Sequence, residues 1–398
     1  MKFLILALTI VFCVKTFALK VDSALESYKE NESYLNAVNE IKLFKVKEDK
    51  VFSNILPTLE LNSNFTKQPS TNNSFVGTEQ RQTFLSLRQP LFRGFSEFNA
   101  LEYSQKLSET KKLAKEVVKR ELQLQIADVF MQAYGLQKEI SLFKELVRTN
   151  NDNFELVKQR QKIGKSKKSD LLRSQASLLQ VKAQLTQLNE QFQIRLVDLE
   201  RLTNKKVKKL TFQKINPIRK FDLNEHPSVK AAKLLYEASD ELIASSKGNH
   251  YPQIDFNANY YIEQEGVFNQ RDWDMAVNLT FPLYEGGRTS SEVREQELIK
   301  KRNAISYERV KRDLDTLLQK LSIQSRLLNR QLSAYELSVK ASNSSYKEIM
   351  KDYKLRLTTN LDLNDALQIY LQEKRNLIQL DVKKKFIQLQ EIIIKGLN

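Results

Sequence analysis

The chain repeats itself, and that repetition limits its fold more than any other feature. Pro57–Phe65 and Pro252–Tyr260 match in character at every position, at an offset of 195 (252 − 57) that holds without gaps upstream, pairing Asn31 with His226 and Ala37 with Ala232. Gln89–Gly94 then matches Phe281–Gly286, and Asp170-Leu171 matches Asp362-Leu363, both at an offset of 192. About 80 residues separate these last two marks in each half, with no net change in length. Loops vary freely in length, but rods that must end level do not. The three-residue difference falls between the first two marks, in a polar loop. Each half reads as helix, strand, loop, strand, long helix, turn, helix. The boundaries follow: a first repeat over 19–203, a linker over 204–225 and a second repeat over 226–398.

The strands alternate with period two. Leu59, Leu61 and Phe65 alternate with Glu60, Asn62 and Asn64, and Leu85, Leu87 and Leu91 alternate with Ser86, Arg88 and Pro90. Ile254, Phe256, Ala258, Tyr260 and Ile262 repeat the pattern, as do Trp273, Met275, Val277, Leu279 and Phe281. One apolar face on segments of about ten residues suits strands that cross an outer membrane. Aromatics near the ends (Phe65, Phe92, Tyr260, Tyr261, Trp273, Phe281, Tyr284) suit interfacial girdles. A soluble sandwich fits poorly, because about 190 residues of mostly helical chain separate the two hairpins. Four strands cannot close a barrel, and an open edge in hydrocarbon costs several kcal/mol per unpaired backbone group. Two copies would give eight strands, whose interior side chains fill; three would give twelve and begin to leave a lumen. The expected fold is therefore mostly α with membrane β: a trimeric outer-membrane channel with four strands per protomer, a shared 12-stranded barrel and a long antiparallel α-helical barrel.

The helices supply the walls. All seven prolines lie at or before Pro282 and none falls between Pro90 and Pro217. From Gly94 to Gly164 the chain could run as a helix of ~100 Å at ~1.5 Å per residue. Leu122, Ile126, Val129, Ala133, Leu136, Ile140, Phe143 and Val147 step by alternate fours and threes, a coiled-coil seam. Leu178, Val181, Leu185, Leu188, Phe192 and Leu199 form the partner seam, with Arg195 at its one polar position. Gly164 followed by Ser169 supplies a stop and a restart for an antiparallel hairpin. The second half repeats this from about Thr289 to Leu355 and from about Leu361 to Lys395.

The first 18 residues read as a secretory signal: Lys2, an apolar run from Phe3 to Val14, and Thr16-Phe17-Ala18 as a cleavage site. The only cysteine, Cys13, lies inside that run, and bulky Phe12 before it argues against lipidation. Removing Lys2 and Lys15 takes the net charge from +16 to +14. The cations are scattered among acids on solvated helix faces, without an aromatic-interleaved groove, so no nucleic-acid partner is expected. Only His226 and His250 are present, and no nucleophile set, metal-spaced cluster or phosphate-cradling glycine loop accompanies them; neither catalysis nor a cofactor is expected. His226, before a proline at a helix start, reads as a surface residue.

The leader, the paired Pro-Leu-aromatic motifs (Pro90-Leu91-Phe92 and Pro282-Leu283-Tyr284) and the two matched hairpins resemble the TolC-like outer-membrane efflux protein family over nearly the whole mature chain. The resemblance implies a homotrimer in outer-membrane lipid with its helical part in the periplasm. It implies an exit duct for drug efflux or type I protein secretion, docked to a periplasmic adaptor and an inner-membrane pump. The family's acidic constriction would fall on Asp362 and Asp365, whose i, i+3 spacing puts both carboxylates on one helix face. Its closing links would fall on Tyr353 with Asp170 and Asn153. The family's latch arginine aligns with Thr358, and Arg356 lies two residues earlier. The adaptor-docking turn matches Ile163-Gly164; its counterpart, Leu355-Arg356 followed by Leu357, lacks the glycine. A periplasmic adaptor or coiled-coil scaffold is the alternative class, but such proteins usually carry one hairpin between non-membrane β-domains.

Overall fold

A computed structural model describes residues 18–67, 79–213, 221–265 and 271–396. The expected leader, apart from Ala18, lies outside the described residues. In chain order the elements are β1 (Leu19–Lys20), α1 (Val21–Leu25), α2 (Glu32–Ser53), β2 (Thr58–Lys67), β3 (Glu79–Arg93), α3 (Ser96–Lys162), α4 (Lys168–Thr203), β4 (Leu210–Thr211), α5 (Pro227–Gly248), β5 (Gln253–Glu265), β6 (Trp273–Thr280), α6 (Arg288–Leu355) and α7 (Asn360–Lys395). From α2 to α4 and from α5 to α7 the order is the same. The chain forms two compact units, each drawing on both halves of the sequence. One takes Asn36–Val117 and Asp222–Asp315; the other takes the N-terminal segment through Leu35, Val118–Phe221 and the chain from Thr316. None of the described helices is long and apolar enough to cross a membrane.

In the first unit the four long strands form one antiparallel sheet in the order β2-β3-β5-β6. The period-two pattern sets the register. Leu61, Leu85, Tyr260 and Trp273 lie in one row across all four strands, and Leu59, Leu87, Ala258 and Met275 in the next. Leu59, Leu61, Trp273, Met275, Val277 and Leu279 are each more than half exposed. Leaving a large aliphatic or aromatic side chain in water forgoes roughly 1.5–3 kcal/mol of burial, so this face is built for an apolar surround. Pro90 can donate nothing to a ladder, and it sits at a register shift between Pro90 and Phe92, where a bulge tolerates it. A second shift, between Thr83 and Phe84, leaves Ile262 as the extra residue on β5, past the regular pair of Phe84 with Tyr261. Tyr261, one residue after Tyr260, falls by alternation on the face of Asn257 and Asn259 rather than in the expected girdle, and its hydroxyl donates to Asp274 at 2.7 Å.

Beside the sheet, α3 meets α5 through the backbone. The carbonyl of Gly248 lies 2.3 Å from where a Cβ on Gly94 would stand, and Gly94 has φ +62°. Ser96 and Ser245 hydrogen-bond across the same contact at 3.1 Å. Lys106 bridges to Glu241 at 2.7 Å, Lys111 reaches Glu40 on α2, and Asn303 on α6 donates to Ser239 on α5.

In the second unit α3 packs between α4 and α7. Every residue of the α3 seam is buried or half-buried, and Leu122, Ile126, Ala133, Ile140 and Phe143 join one core with Val181, Leu188, Phe192 and Leu199 of α4 and Leu367, Leu371, Leu389 and Ile393 of α7. The α4 seam is corrected at one step. Leu196, not Arg195, fills the core, and Arg195 turns outward to Asp198 at 2.9 Å. A straight helix drifts against a 3.5-residue repeat, and two consecutive steps of four bring the stripe back. His226 also departs from expectation: it is buried, and its Nδ1 accepts from the Ser228 N–H, capping α5. In the 204–225 stretch, β4 pairs parallel with β1, and the Gln137 amide bonds both the N–H and the carbonyl of Leu210 as a third strand would.

Candidate functional site

The second unit brings together the ends of all four long helices, and most of the sequence-expected site residues lie there. The two turns share one backbone. Gly164 ends α3 with φ +69°; its N–H donates to the Gln161 carbonyl at 3.0 Å, and the Lys165 N–H donates to the Arg160 carbonyl at 2.7 Å. Arg356 ends α6 with φ +68°; its N–H donates to Tyr353 at 3.2 Å, and the Leu357 N–H donates to Asp352 at 2.8 Å. Both are Schellman closures. The missing glycine does not change the turn: Arg356 takes the left-handed conformation that Gly164 takes without steric cost. Ile163, Leu355 and Leu357 stand 63%, 69% and 75% exposed at the two turns.

The restarts are equivalent as well. Asp170 accepts from the Lys167 N–H at 3.3 Å and from Ser166 Oγ, so α4 begins at Lys168, before the Ser169 restart expected from sequence. Asp362 accepts from the Thr359 N–H at 3.0 Å, from Thr359 Oγ1 and from Thr358 Oγ1 at 2.9 Å, while Thr359 Oγ1 accepts from the Asp362 N–H. This is a capping box at the start of α7. The Thr359 hydroxyl and amide, with Thr358, hold the Asp362 carboxyl below its ordinary range. Thr358, at the family's latch position, thus serves the cap of its own helix. Asp365 is exposed and shares with Asp362 a shallow groove of about 230 Å³ between α6 and α7, flanked by Ser342 and Ile349.

Under the turns lies a small core of Val157, Tyr353 and Leu363, contributed by α3, α6 and α7. Among the described residues no hydrogen bond joins Tyr353 to Asp170 or Asn153. Arg160 holds Tyr353 instead: Nη1 donates to the Tyr353 carbonyl at 3.2 Å, Nη2 to the Lys354 carbonyl at 3.3 Å, and the guanidinium lies 4.4 Å from the centre of the Tyr353 ring. A cation on the last carbonyls of a helix also complements its dipole. Asn153 is buried, and among the described residues its Nδ2 has no hydrogen-bond partner; burial pushes the nearby Tyr346 hydroxyl up. Tyr346 in turn stacks on Tyr370 at 6.2 Å with the rings 3° apart. Asp170 meets α7 through its backbone, its carbonyl lying 3.5 Å from Asn360 Nδ2.

Sequence reasoning missed Arg160. The signal was present: an arginine one turn before a helix-ending glycine can reach terminal carbonyls. Which helix those carbonyls belong to depends on tertiary packing. The cap, by contrast, was readable, since Thr359-x-x-Asp362 has the capping-box spacing.

An antiparallel sheet with an apolar outer face, spliced into two long helical hairpins, defines the class of outer-membrane channels that join strands to a helical duct. The family model for outer membrane efflux proteins matches residues 51–205 and 222–392, and the chain belongs to that family. Membership assigns it to the outer membrane. A curated relative, the alkaline protease secretion protein AprF of Pseudomonas aeruginosa, is 22% identical over 323 residues, which cover 76% of this chain and 65% of that protein. Among solved structures, the outer membrane protein VceC of Vibrio cholerae superposes with a TM-score of 0.85 at 16% identity, covering 94% of this chain and 96% of that one. The open state of the MtrE outer membrane channel of Neisseria gonorrhoeae gives 0.80 at 17% identity, covering 95% and 88%.

Proposed function

We propose that the protein is a homotrimeric exit duct, the outer-membrane component of a tripartite efflux pump or type I secretion system, working with a periplasmic adaptor and an inner-membrane pump. The observation that carries this reading is the sheet with two open edges. β2 and β6 flank the order β2-β3-β5-β6, and the apolar rows run out to both of them. In hydrocarbon those edges must be closed, and copies of the chain can close them head to tail, β6 of one against β2 of the next. The second unit supports the same closure. With α3 between α4 and α7, and α6 against α7, the outer flanks are α4 and α6. Leu172, Leu179 and Val197 on α4, and Ile323, Leu327 and Leu337 on α6, are exposed there. The name of the curated relative favours protein as cargo. No catalytic step is assigned to the chain. The test is physical: protein extracted in mild detergent should cross-link to a trimer and conduct ions in planar bilayers. A lone subunit without conductance would end the proposal.

Within that duct, Ile163, Gly164, Leu355 and Leu357 are the adaptor-docking ends, and the 204–225 linker with its β4 strand belongs to the girdle. Asp365 and Asp362 form the cation-binding constriction, but unequally. Asp362 is committed to its cap, so Asp365 is the freer carboxylate. Asp365→Asn should relieve divalent-cation block of the conductance more than Asp362→Asn; equal effects would remove the distinction.

Asp362→Asn should instead loosen the start of α7, read as faster amide exchange there. The pH dependence follows from the direction of the shift. A carboxyl held low in the folded state contributes its stabilisation fully above the ordinary carboxylate pKa and loses it as pH falls through the lowered value. The protection factor at 360–363, the intrinsic amide exchange rate at each pH divided by the observed one, should therefore be flat near neutrality and fall only in acid.

A further inference from the structure

The two turns match in backbone and differ in charge. Residues 158–173 carry seven cations and one anion, Asp170; the equivalent window, 350–365, carries three of each. Of the seven, Lys158 pairs with Glu155 and Arg160 is engaged on α6. Lys162, Lys165, Lys167 and Lys168 are exposed, and among the described residues none of them makes an ion pair. Three of these oppose their own helix. Lys165, Lys167 and Lys168 stand at the start of α4, where the helix dipole disfavours a positive charge by ~0.3–1 kcal/mol each. Their counterparts at the start of α7 are Leu357, Thr359 and Asn360, all uncharged. The turn forms in the second half without these cations, so folding does not require them.

We propose that the first-half turn, Lys162 to Lys168, docks an acidic partner surface: the end of a helical hairpin whose carboxylates rim an apolar socket for Ile163. The second-half turn, of the same shape and neutral, receives its partner through Leu355 and Leu357 by apolar contact. The argument for an acidic occupant is charge complementarity, with four unpaired cations around one exposed aliphatic side chain. This rests on the exit-duct reading, in which these turns meet an adaptor. Closely spaced charges of one sign chiefly raise the rate of encounter and discriminate between partners, and both effects weaken with salt.

The test uses the full-length protein in nanodiscs and disulfide-closed helical-hairpin peptides with a leucine at the end flanked by four Glu, four Gln or four Lys. The Glu hairpin should bind roughly tenfold or more tighter than the Gln hairpin at low salt, with the difference shrinking as salt rises. Changing Lys162, Lys165, Lys167 and Lys168 to Gln should remove that preference. Changing Lys351 and Lys354 to Gln in the second half should leave it intact. Equal binding of the three hairpins, or a preference that survives the four first-half changes, would overturn the proposal. So would a quadruple variant that keeps the preference for the Glu hairpin but loses binding to phosphatidylglycerol vesicles, which would make the patch a lipid-binding one. Conductance in planar bilayers is measured in parallel. Its absence would count against the duct, whereas a wild-type protein that conducts but binds the three hairpins equally counts against this proposal alone.

Discussion

Gly94→Ala is expected to abolish assembly, whereas the same change at Gly286, its partner in the repeated motif, is expected to be tolerated. Both glycines have φ near +60°, and an alanine in that region costs roughly 1–2 kcal/mol. Only Gly94 is also crowded. Its added Cβ would fall 2.3 Å from the Gly248 carbonyl oxygen, while nothing lies within 4 Å of a Cβ on Gly286. The obstructing atom is backbone, so no rotamer change relieves it. The start of α3 and the end of α5 would have to move apart, breaking the Ser96–Ser245 bond. Overpacking of this kind typically adds ~1–3 kcal/mol, bringing the total to roughly 2–5 kcal/mol. That is a large part of what holds a domain folded. Gly248→Ala meets the Gly94 carbonyl oxygen and Ser96 at 2.9 Å and should behave in the same sense, less severely. The measurement is thermal unfolding together with the fraction of extracted protein that runs as assembled channel. Equal behaviour of Gly94→Ala and Gly286→Ala would show that the close approach is not what constrains the site.

That pair of glycines also marks how far the sequence could be read. The repeat makes Gly94 and Gly286 equivalent, and in backbone angle they are. Which of the two meets another backbone depends on where α5 ends, and no periodicity carries that. The apolar face of the sheet was legible because side chains alternate with period two whatever lies beyond them. The same rule puts Tyr261 on the polar face with Asn257 and Asn259, so its place outside the girdle was legible too; the bulge that follows at Ile262 was not, because a bulge depends on the partner strand. The α3 seam was legible as a heptad; on α4 the same rule placed Arg195 in a core that Leu196 occupies, since the packed helix keeps its own 3.6-residue turn. At the helix ends, Asp362 was visible as a carboxylate one turn from Asp365. Its engagement by Thr358 and Thr359 makes it a cap first, which the spacing Thr359-x-x-Asp362 could have disclosed. The tie from Arg160 to Tyr353 joins residues 193 apart in the chain, beyond any local pattern.

Arg160→Ala is expected to raise the resting conductance of the channel several-fold, with Tyr353→Phe close to wild type. The reasoning turns on which atoms of Tyr353 are used. Arg160 donates to the backbone carbonyls of Tyr353 and Lys354 and lies over the face of the ring, so the phenol oxygen is not part of the tie. Phenylalanine keeps the carbonyl and the ring face. Alanine at 160 removes two charge-assisted hydrogen bonds, each worth ~1.5–3 kcal/mol, and a cation–π contact of about 0.5–1 kcal/mol or more. It also removes the one guanidinium seated on the last carbonyls of α6 among the described residues, leaving Lys354 as the cation of that turn. In the exit-duct reading α3 and α6 must part near their ends for the passage to widen, and this is a polar link that crosses between them there, beside the packing of Val157 on Tyr353. Arg160→Lys should fall in between, since an ammonium can sit over the ring but cannot fork to two carbonyls. Single-channel recording of the three variants in planar bilayers separates the cases. If Arg160→Ala conducts as wild type does while Tyr353→Phe opens the channel, the tie runs through the phenol hydroxyl, and Arg160 is only a cap on α6.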